Sequence, residues 1–135
     1  MNMQDIIISS KDAVLLSDLV RRADDLPEME QAVEQLTLAL EVARIIDSAR
    51  MPNAVVTLGV LADYVEIPDG RSRTVMLVHP VGADASRGRI SVLSPVGRAL
   101  LGRTAGSVVE VALPSGRHQT IKVVGVRDEH GGGHA

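Results

Sequence analysis

Ile90-Ser91-Val92-Leu93-Ser94-Pro95-Val96-Gly97-Arg98-Ala99-Leu100-Leu101-Gly102 reads as a strand, then a capped helix, then a glycine stop. Ile90, Val92 and Leu93 give the apolar strand signal. Ser94 is placed to accept from the orphan N–H groups of a first helical turn. Pro95 suits the first helical position, where no N–H is needed. Ala99, Leu100 and Leu101 supply an apolar body, and Gly102 can take the left-handed conformation that ends a helix.

On the C-terminal side the pattern predicts two strands, Val108 to Leu113 and Thr120 to Val126, joined through Pro114-Ser115-Gly116 as a hairpin. On the N-terminal side, Val55 to Leu58, Tyr64 to Ile67 and Thr74 to Val78 are strand candidates. Pro68-Asp69-Gly70 marks a turn between the last two, and Gly82 to Gly88 reads as a polar loop.

The first 52 residues have a different period. Ile6-Ile7-Ile8 is a short β-branched run. Ser9 or Ser10 can cap a helix from about Lys11 to Ala23, in which Leu15, Leu16, Leu19, Val20 and Ala23 recur at helical spacing. Asp24-Asp25-Leu26-Pro27 breaks the pattern. A second helix is expected from about Pro27 to Arg50, where Met29, Val33, Leu36, Leu40 and Ala43 follow the alternating four-and-three spacing of a coiled-coil seam.

The expected organisation is therefore a strand and a short antiparallel helical hairpin over 1–52, a sheet domain over 53–128 and a Gly/His-rich flexible tail over 129–135. Only Met51 to Asn53 separate the second helix from the next strand. An isolated strand is unstable, so Ile6-Ile7-Ile8 should lie against the base of the hairpin or the edge of the sheet. The two parts should be joined by apolar contact rather than by a loose linker.

Composition narrows the function. The 135 residues contain no cysteine, which excludes disulfides, thiol catalysis and cysteine-bound metal. A reducing cytosol fits, and a cytoplasmic location is expected. No apolar run approaches the roughly 18 residues of a membrane span, and no secretory signal is recognisable. Tyr64 is the one aromatic side chain, so stacking on single-stranded nucleic acid has almost no platform. DNA or RNA should be contacted only indirectly, through a protein partner. Residues 1–53 carry 5 Lys/Arg against 10 Asp/Glu, and residues 54–128 carry 9 against 6. This acidic front and basic back suggest modules facing different surfaces.

The candidate chemistry is sparse. Asp24, Asp25, Glu28, Glu30 and Glu34 cluster near the helix turn. Asp25-Leu26-Pro27-Glu28 fits a capping-box-like pattern, and acids favour the first turn of a helix. The same carboxylates could instead hold Mg²⁺ at a projecting tip, since Mg²⁺ prefers oxygen ligands. His79, His118, His130 and His134 form no closed metal-ligand set. There is no nucleophile elbow and no phosphate-binding glycine loop. No cofactor, no metal and no enzymatic activity are expected. Arg71, Arg73, Arg87, Arg89, Arg98 and Arg103 read mainly as solvated surface.

Two motifs resemble a known family. Ile90-Ser91 followed by Ser94-Pro95 and Gly97-Arg98-Ala99-Leu100-Leu101-Gly102 resembles the C-terminal domain of the GreA/GreB transcription elongation factors. The pattern Val111 to Ile121, with Leu113-Pro114-Ser115-Gly116, is similar to that family's final hairpin. The resemblance implies an α+β chain, with a coiled-coil-like hairpin followed by an FKBP-like antiparallel sheet packed on one short helix. It implies RNA polymerase as partner, with Ser94, Pro95 and Arg98 at the docking edge and Asp24, Asp25 and Glu28 as the acidic tip. Prolyl isomerase chemistry, the rival suggested by that sheet, needs an aromatic-walled pocket that Tyr64 alone cannot build.

The N-terminal half distinguishes members. Gre factors begin with a long hairpin reaching the catalytic Mg²⁺ through the secondary channel. Here the first helix spans roughly 20 Å at 1.5 Å per residue. The leading strand, the joint Met51-Pro52-Asn53-Ala54-Val55-Val56-Thr57 and the turn Pro68-Asp69-Gly70 are similar to Rnk (regulator of nucleoside diphosphate kinase), a short-hairpin branch. Asp25-Leu26-Pro27-Glu28 resembles the tip at which cleavage factors hold their essential acids. The expectation is a monomeric bacterial protein that binds polymerase and competes with Gre-type factors without cleaving transcript. A true cleavage factor, or an adaptor acting on nucleoside diphosphate kinase, are the alternatives.

Overall fold

Ile6-Ile7-Ile8 finds its partner across the hairpin. The computed structural model describes residues 6–23, 29–52 and 54–128. In it, β1 (Ile7–Ser9) pairs in parallel with β2 (Arg44–Ile46), with Ile8 opposite Ile45. Between them run α1 (Ser10–Arg22) and α2 (Glu30–Val42). The Ser9 hydroxyl accepts from the Asp12 N–H at 3.0 Å, so Ser9 rather than Ser10 caps α1. Leu16, Leu19 and Ala23 are buried along α1, and Leu36 is buried at the centre of the α2 seam. Met29, Val33, Leu40 and Ala43 pack around Leu36 half-buried, whereas Leu15 faces outward.

The second helix is shorter than the seam predicts. It stops at Val42 because Ala43 turns to extended backbone, and Arg44 donates its N–H to the Ile6 carbonyl at 2.8 Å. Residues expected to be helical thus form β2, followed by a short 3-10 turn, Ser48–Arg50, capped by the Asp47 carboxylate. β-Branched Ile45 and Ile46 gain more from the ladder with β1 than from one further helical turn.

The back half is a five-stranded sheet in the order β5-β4-β3-β7-β6, formed by β3 (Val60–Ile67), β4 (Arg71–Val78), β5 (Arg89–Ser91), β6 (Val108–Ala112) and β7 (His118–Asp128). All neighbours are antiparallel except β4 and β5. β3 and β4 turn through Pro68-Asp69-Gly70, where Gly70 has φ +75° and its N–H reaches the Glu66 carbonyl at 2.6 Å. The expected loop from Gly82 to Gly88 contains the 3-10 turn Ala85–Arg87 and follows another, Pro80–Gly82, capped by the His79 imidazole.

Val55 to Leu58 is not a strand. Val55 makes one bridge to Thr104. Val56 donates to the Arg103 carbonyl at 2.9 Å and accepts from the Gly102 N–H at 2.9 Å. The segment is extended, but it pairs with the irregular chain after the third helix, α3 (Pro95–Leu100), rather than with the sheet.

Ion pairs of Asp63 with Arg127 and of Glu66 with Arg73 fasten the sheet. Asp63 on β3 takes two hydrogen bonds from Arg127 at 2.9 Å each and one from the Thr74 hydroxyl at 2.5 Å. Arg127 holds its carboxyl below the usual carboxylate range. Glu66, likewise lowered by its bond from Arg73, lies 2.8 Å from that guanidinium.

One apolar core runs through both halves. Ile8, Leu16, Leu19 and Leu36 belong to the same cluster as Val56, Leu77, Val92, Leu100, Val111 and Ile121. The apolar joint expected between hairpin and sheet is therefore present. At about 25 cal/mol per Å² of apolar surface, such continuity ties the stability of one half to the other. No helix among the described residues is long and apolar enough to cross a membrane.

Candidate functional site

The site begins at the β5–α3 joint. After Ser91 the chain leaves the sheet, and Val92 and Leu93 drop fully into the core beneath the turn rather than extending β5. Val92 still donates to the Val78 carbonyl at 3.0 Å. The Ser91 hydroxyl accepts from the Leu93 N–H at 2.9 Å. Ser94 then serves both sides of the helix start. Its hydroxyl accepts from the Gly97 N–H at 3.1 Å and donates to the Ser91 carbonyl at 2.7 Å. Pro95 occupies the first turn, as expected. Gly97 is required by packing, since a Cβ there would collide with the Ser91 carbonyl oxygen.

Ser94, Pro95 and Arg98 are thus gathered on the first turns of α3. Arg98 also holds the two halves together. Its Nη1 donates to the Leu93 carbonyl at 2.5 Å, and its Nε donates to the Gln35 side-chain oxygen on α2 at 3.0 Å. Partial burial pulls its pKa below the ordinary arginine value. The guanidinium is therefore an intramolecular bolt as well as part of the expected docking edge. Sequence spacing could not reveal this, because Gln35 lies far away in the chain.

Two further links were not read from the sequence. The Asp12 carboxylate accepts from the Leu58 N–H at 2.9 Å, joining α1 to the start of the sheet domain. Asp12 is almost fully buried, and desolvation raises its pKa despite that bond. Gly102 is the second. Its φ of +76° fits the helix stop read from the sequence, but its larger role is contact. A Cβ there would lie 2.5 Å from Ile6 Cγ2 and 3.0 Å from the Ile7 carbonyl oxygen. The Gly102 carbonyl in turn accepts from the Ile7 N–H at 3.0 Å. The missing side chain lets β1 lie directly on the end of the α3 segment, and only the bareness of Gly102 hinted at it.

The acidic tip residues Asp24, Asp25 and Glu28, and the tail 129–135, lie outside the described residues. Ala23 and Met29 flank the tip, and Met29 enters α2 with no side-chain cap. Among the described residues no group of three His, Asp or Glu side chains could hold a metal ion. His79 is used as a cap, and exposed His118 lies 3.8 Å from Glu110.

Comparisons agree with this geometry. Residues 51–128 match the family model described as transcription elongation factor, GreA/GreB, C-term. A transcription elongation factor GreA of Oenococcus oeni is 35% identical over 76% of this chain and 64% of its own length. One of Desulfovibrio desulfuricans is 35% identical over 72% and 59%. The chain thus spans about three fifths of the length of these relatives. A solved structure, the prokaryotic transcription elongation factor GreA/GreB from Nitrosomonas europaea, superposes with a TM-score of 0.75 at 30% identity. It covers 91% of this chain and 99% of that one. The motif from Ile90 to Gly102, the sheet that carries it and the extent of these matches together place the chain in the GreA/GreB transcription elongation factor family.

Proposed function

We propose that this chain is an RNA polymerase-binding regulator of the Rnk type, acting in the bacterial cytoplasm. It docks its sheet domain at the rim of the secondary channel and competes there with Gre-type factors without cleaving transcript. The observation that carries this reading is the hairpin. Each of its helices has 13 residues, a reach of only ~20 Å at 1.5 Å per residue. Cleavage needs carboxylates within hydrogen-bond distance of the reacting groups, and a hairpin this short, mounted rigidly at its base, falls short of a deep active site. The similarity to the Nitrosomonas europaea GreA/GreB protein, over 91% of this chain, supports the Gre-type partner. Ser94, Pro95 and Arg98 supply the contact edge, and Asp24, Asp25 and Glu28 bring negative charge to the channel entrance.

The test is a competition experiment with bacterial core polymerase. Displacement of a labelled Gre factor at micromolar concentration is expected, and absence of binding refutes the proposal. Asp25-Leu26-Pro27-Glu28 favours a second reading, a cleavage factor. A stalled elongation complex incubated with the protein and Mg²⁺ separates the two, since shortened transcripts support cleavage. An adaptor for nucleoside diphosphate kinase would bind that enzyme and not polymerase.

A further inference from the structure

The outer edge of the sheet opens into a cleft. β6 is the last strand in the order β5-β4-β3-β7-β6. Its direction can be worked out from its ends. The Leu113 N–H donates to the Arg117 carbonyl at 2.9 Å, and the Ser107 carbonyl accepts from Val123 at 2.9 Å. Both pairs share the register that sets Val109 opposite Ile121 and Val111 opposite Gln119. Antiparallel pairing alternates, so Val109 and Val111 turn their backbone groups to β7. Val108, Glu110 and Ala112 turn theirs outward. Among the described residues, no backbone bond from outside the β6–β7 ladder reaches these three. Open edges of this kind template the addition of another strand.

This edge is not flat surface. Glu110 and Ala112 form one wall of a groove of about 220 Å³ whose other walls are α2 and α3. Arg98 and Arg103 line it together with Pro95 and Ala99. Both arginines are half-buried, and neither forms an ion pair with a described carboxylate. Arg98 spends Nε and Nη1 on neutral oxygens, and Arg103 spends only Nε, on the Ala99 carbonyl at 3.3 Å. Burial lowers the pKa of both, a cost that a bound carboxylate would relieve. Among the described residues Glu110 is the one acid in the lining, and its carboxylate lies on the His118 side. The volume is below the roughly 300–1,000 Å³ of sites for drug-sized ligands, so the groove suits side chains of a peptide rather than a whole cofactor.

We propose that this groove binds an extended acidic segment of a protein partner, which adds to β6 as a further strand and places a carboxylate between Arg98 and Arg103. Main-chain bonds to the edge would give affinity, and the arginines would select an acid, since guanidinium–carboxylate pairing is directional. The proposal does not rest on the polymerase reading.

The probe is the peptide Ac-Val-Glu-Val-Thr-Val-NH2, titrated into the ¹⁵N-labelled full chain and followed by NMR. Shifts are expected at the amides of Glu110 and Ala112 and at the Arg103 side-chain Nε–H. The Glu→Gln peptide should bind at least five-fold more weakly. Arg103→Gln should abolish that preference while leaving the amide shifts. Ala112→Pro removes an outward donor without touching a β7 bond and should abolish the amide shifts, with retained β7 resonances showing that the sheet is intact. The proposal is overturned if no shift appears, if sodium acetate reproduces the whole pattern, or if the same amides shift with protein concentration alone. The last result would assign the edge to a second copy of this chain.

Discussion

Replacing Gly102 by alanine tests the joint between the two halves. Two costs add at this position. The φ of +76° is unfavourable for any residue with a Cβ, by about 1–2 kcal/mol. The new methyl would also sit 2.5 Å from Ile6 Cγ2 and close to both the nitrogen and the carbonyl oxygen of Ile7. Relieving such overpacking costs about 1–3 kcal/mol, because backbone must move as well as side chain. The expected loss is therefore about 2–5 kcal/mol. Gly116 is the control. Its φ is +88°, and a Cβ there meets nothing within 4 Å, so Gly116→Ala should lose only the conformational part, about 1–2 kcal/mol. For a chain of this size each kcal/mol shifts Tm by roughly 4 °C, so the variants should separate by about 4–12 °C. Calorimetry reads the difference. Hydrogen exchange locates it, because the Ile7 amide bonded to the Gly102 carbonyl should lose protection in Gly102→Ala alone. Equal destabilisation by the two variants, with Ile7 still protected, would refute the claim that β1 is seated on Gly102.

Asp12→Asn keeps an acceptor for the Leu58 N–H but removes a buried charge. Burial raises the Asp12 pKa, so its charge costs nothing below the ordinary value of 3.8 and most above the raised one. The stability of Asp12→Asn relative to the parent should therefore increase from pH 3 to pH 7 in urea titrations, while Asp12→Ala should lose about 1–3 kcal/mol by orphaning Leu58. Asp63 has the opposite sign. Its lowered pKa adds stability that is present above 3.8 and lost as pH falls through the folded value. The deficit of Asp63→Asn against the parent should shrink in acid, and a deficit constant from pH 7 to pH 2.5 would count against the Arg127 pairing. Replacing Asp24, Asp25 and Glu28 together by alanine should weaken competition for polymerase, and the parent's competition should itself fall as salt is raised. Unchanged competition by the folded triple variant would assign these acids to helix capping.

Local signals carried much of the fold. The Ser94 cap, Pro95 at the helix start and the Pro114-Ser115-Gly116 hairpin are short-range chemistry, and each stands where the sequence places it. The seam through Leu36 and the burial of Leu16 and Leu19 follow from period alone. Failures came where a distant partner overrode a local pattern. The helical period continues through Ala43, yet Arg44–Ile46 pairs with β1 because that strand has backbone groups to satisfy. Val55 and Val56 have strand composition, but their hydrogen bonds go to Arg103 and Gly102 rather than to the sheet. Ser94, Pro95 and Arg98 were singled out by motif, and they stand together at the start of α3. The Gln35 bond of Arg98 and the Leu58 bond of Asp12 join positions that no window of sequence brings together.

The parallel β1–β2 ladder has a consequence for recognition by any partner. Because β1 precedes α1 and β2 follows α2, both feet of the hairpin are held at one place, with β1 seated on Gly102 and β2 paired to β1. The hairpin is then a lever without a free hinge. A rotation of about 3° at its base displaces the end of a ~20 Å helix by only ~1 Å. The orientational freedom that two flexibly tethered modules would forfeit on association has already been surrendered during folding. A partner that contacts both modules meets a single preorganised surface, and contacts made at the far end add to affinity with little further loss of entropy.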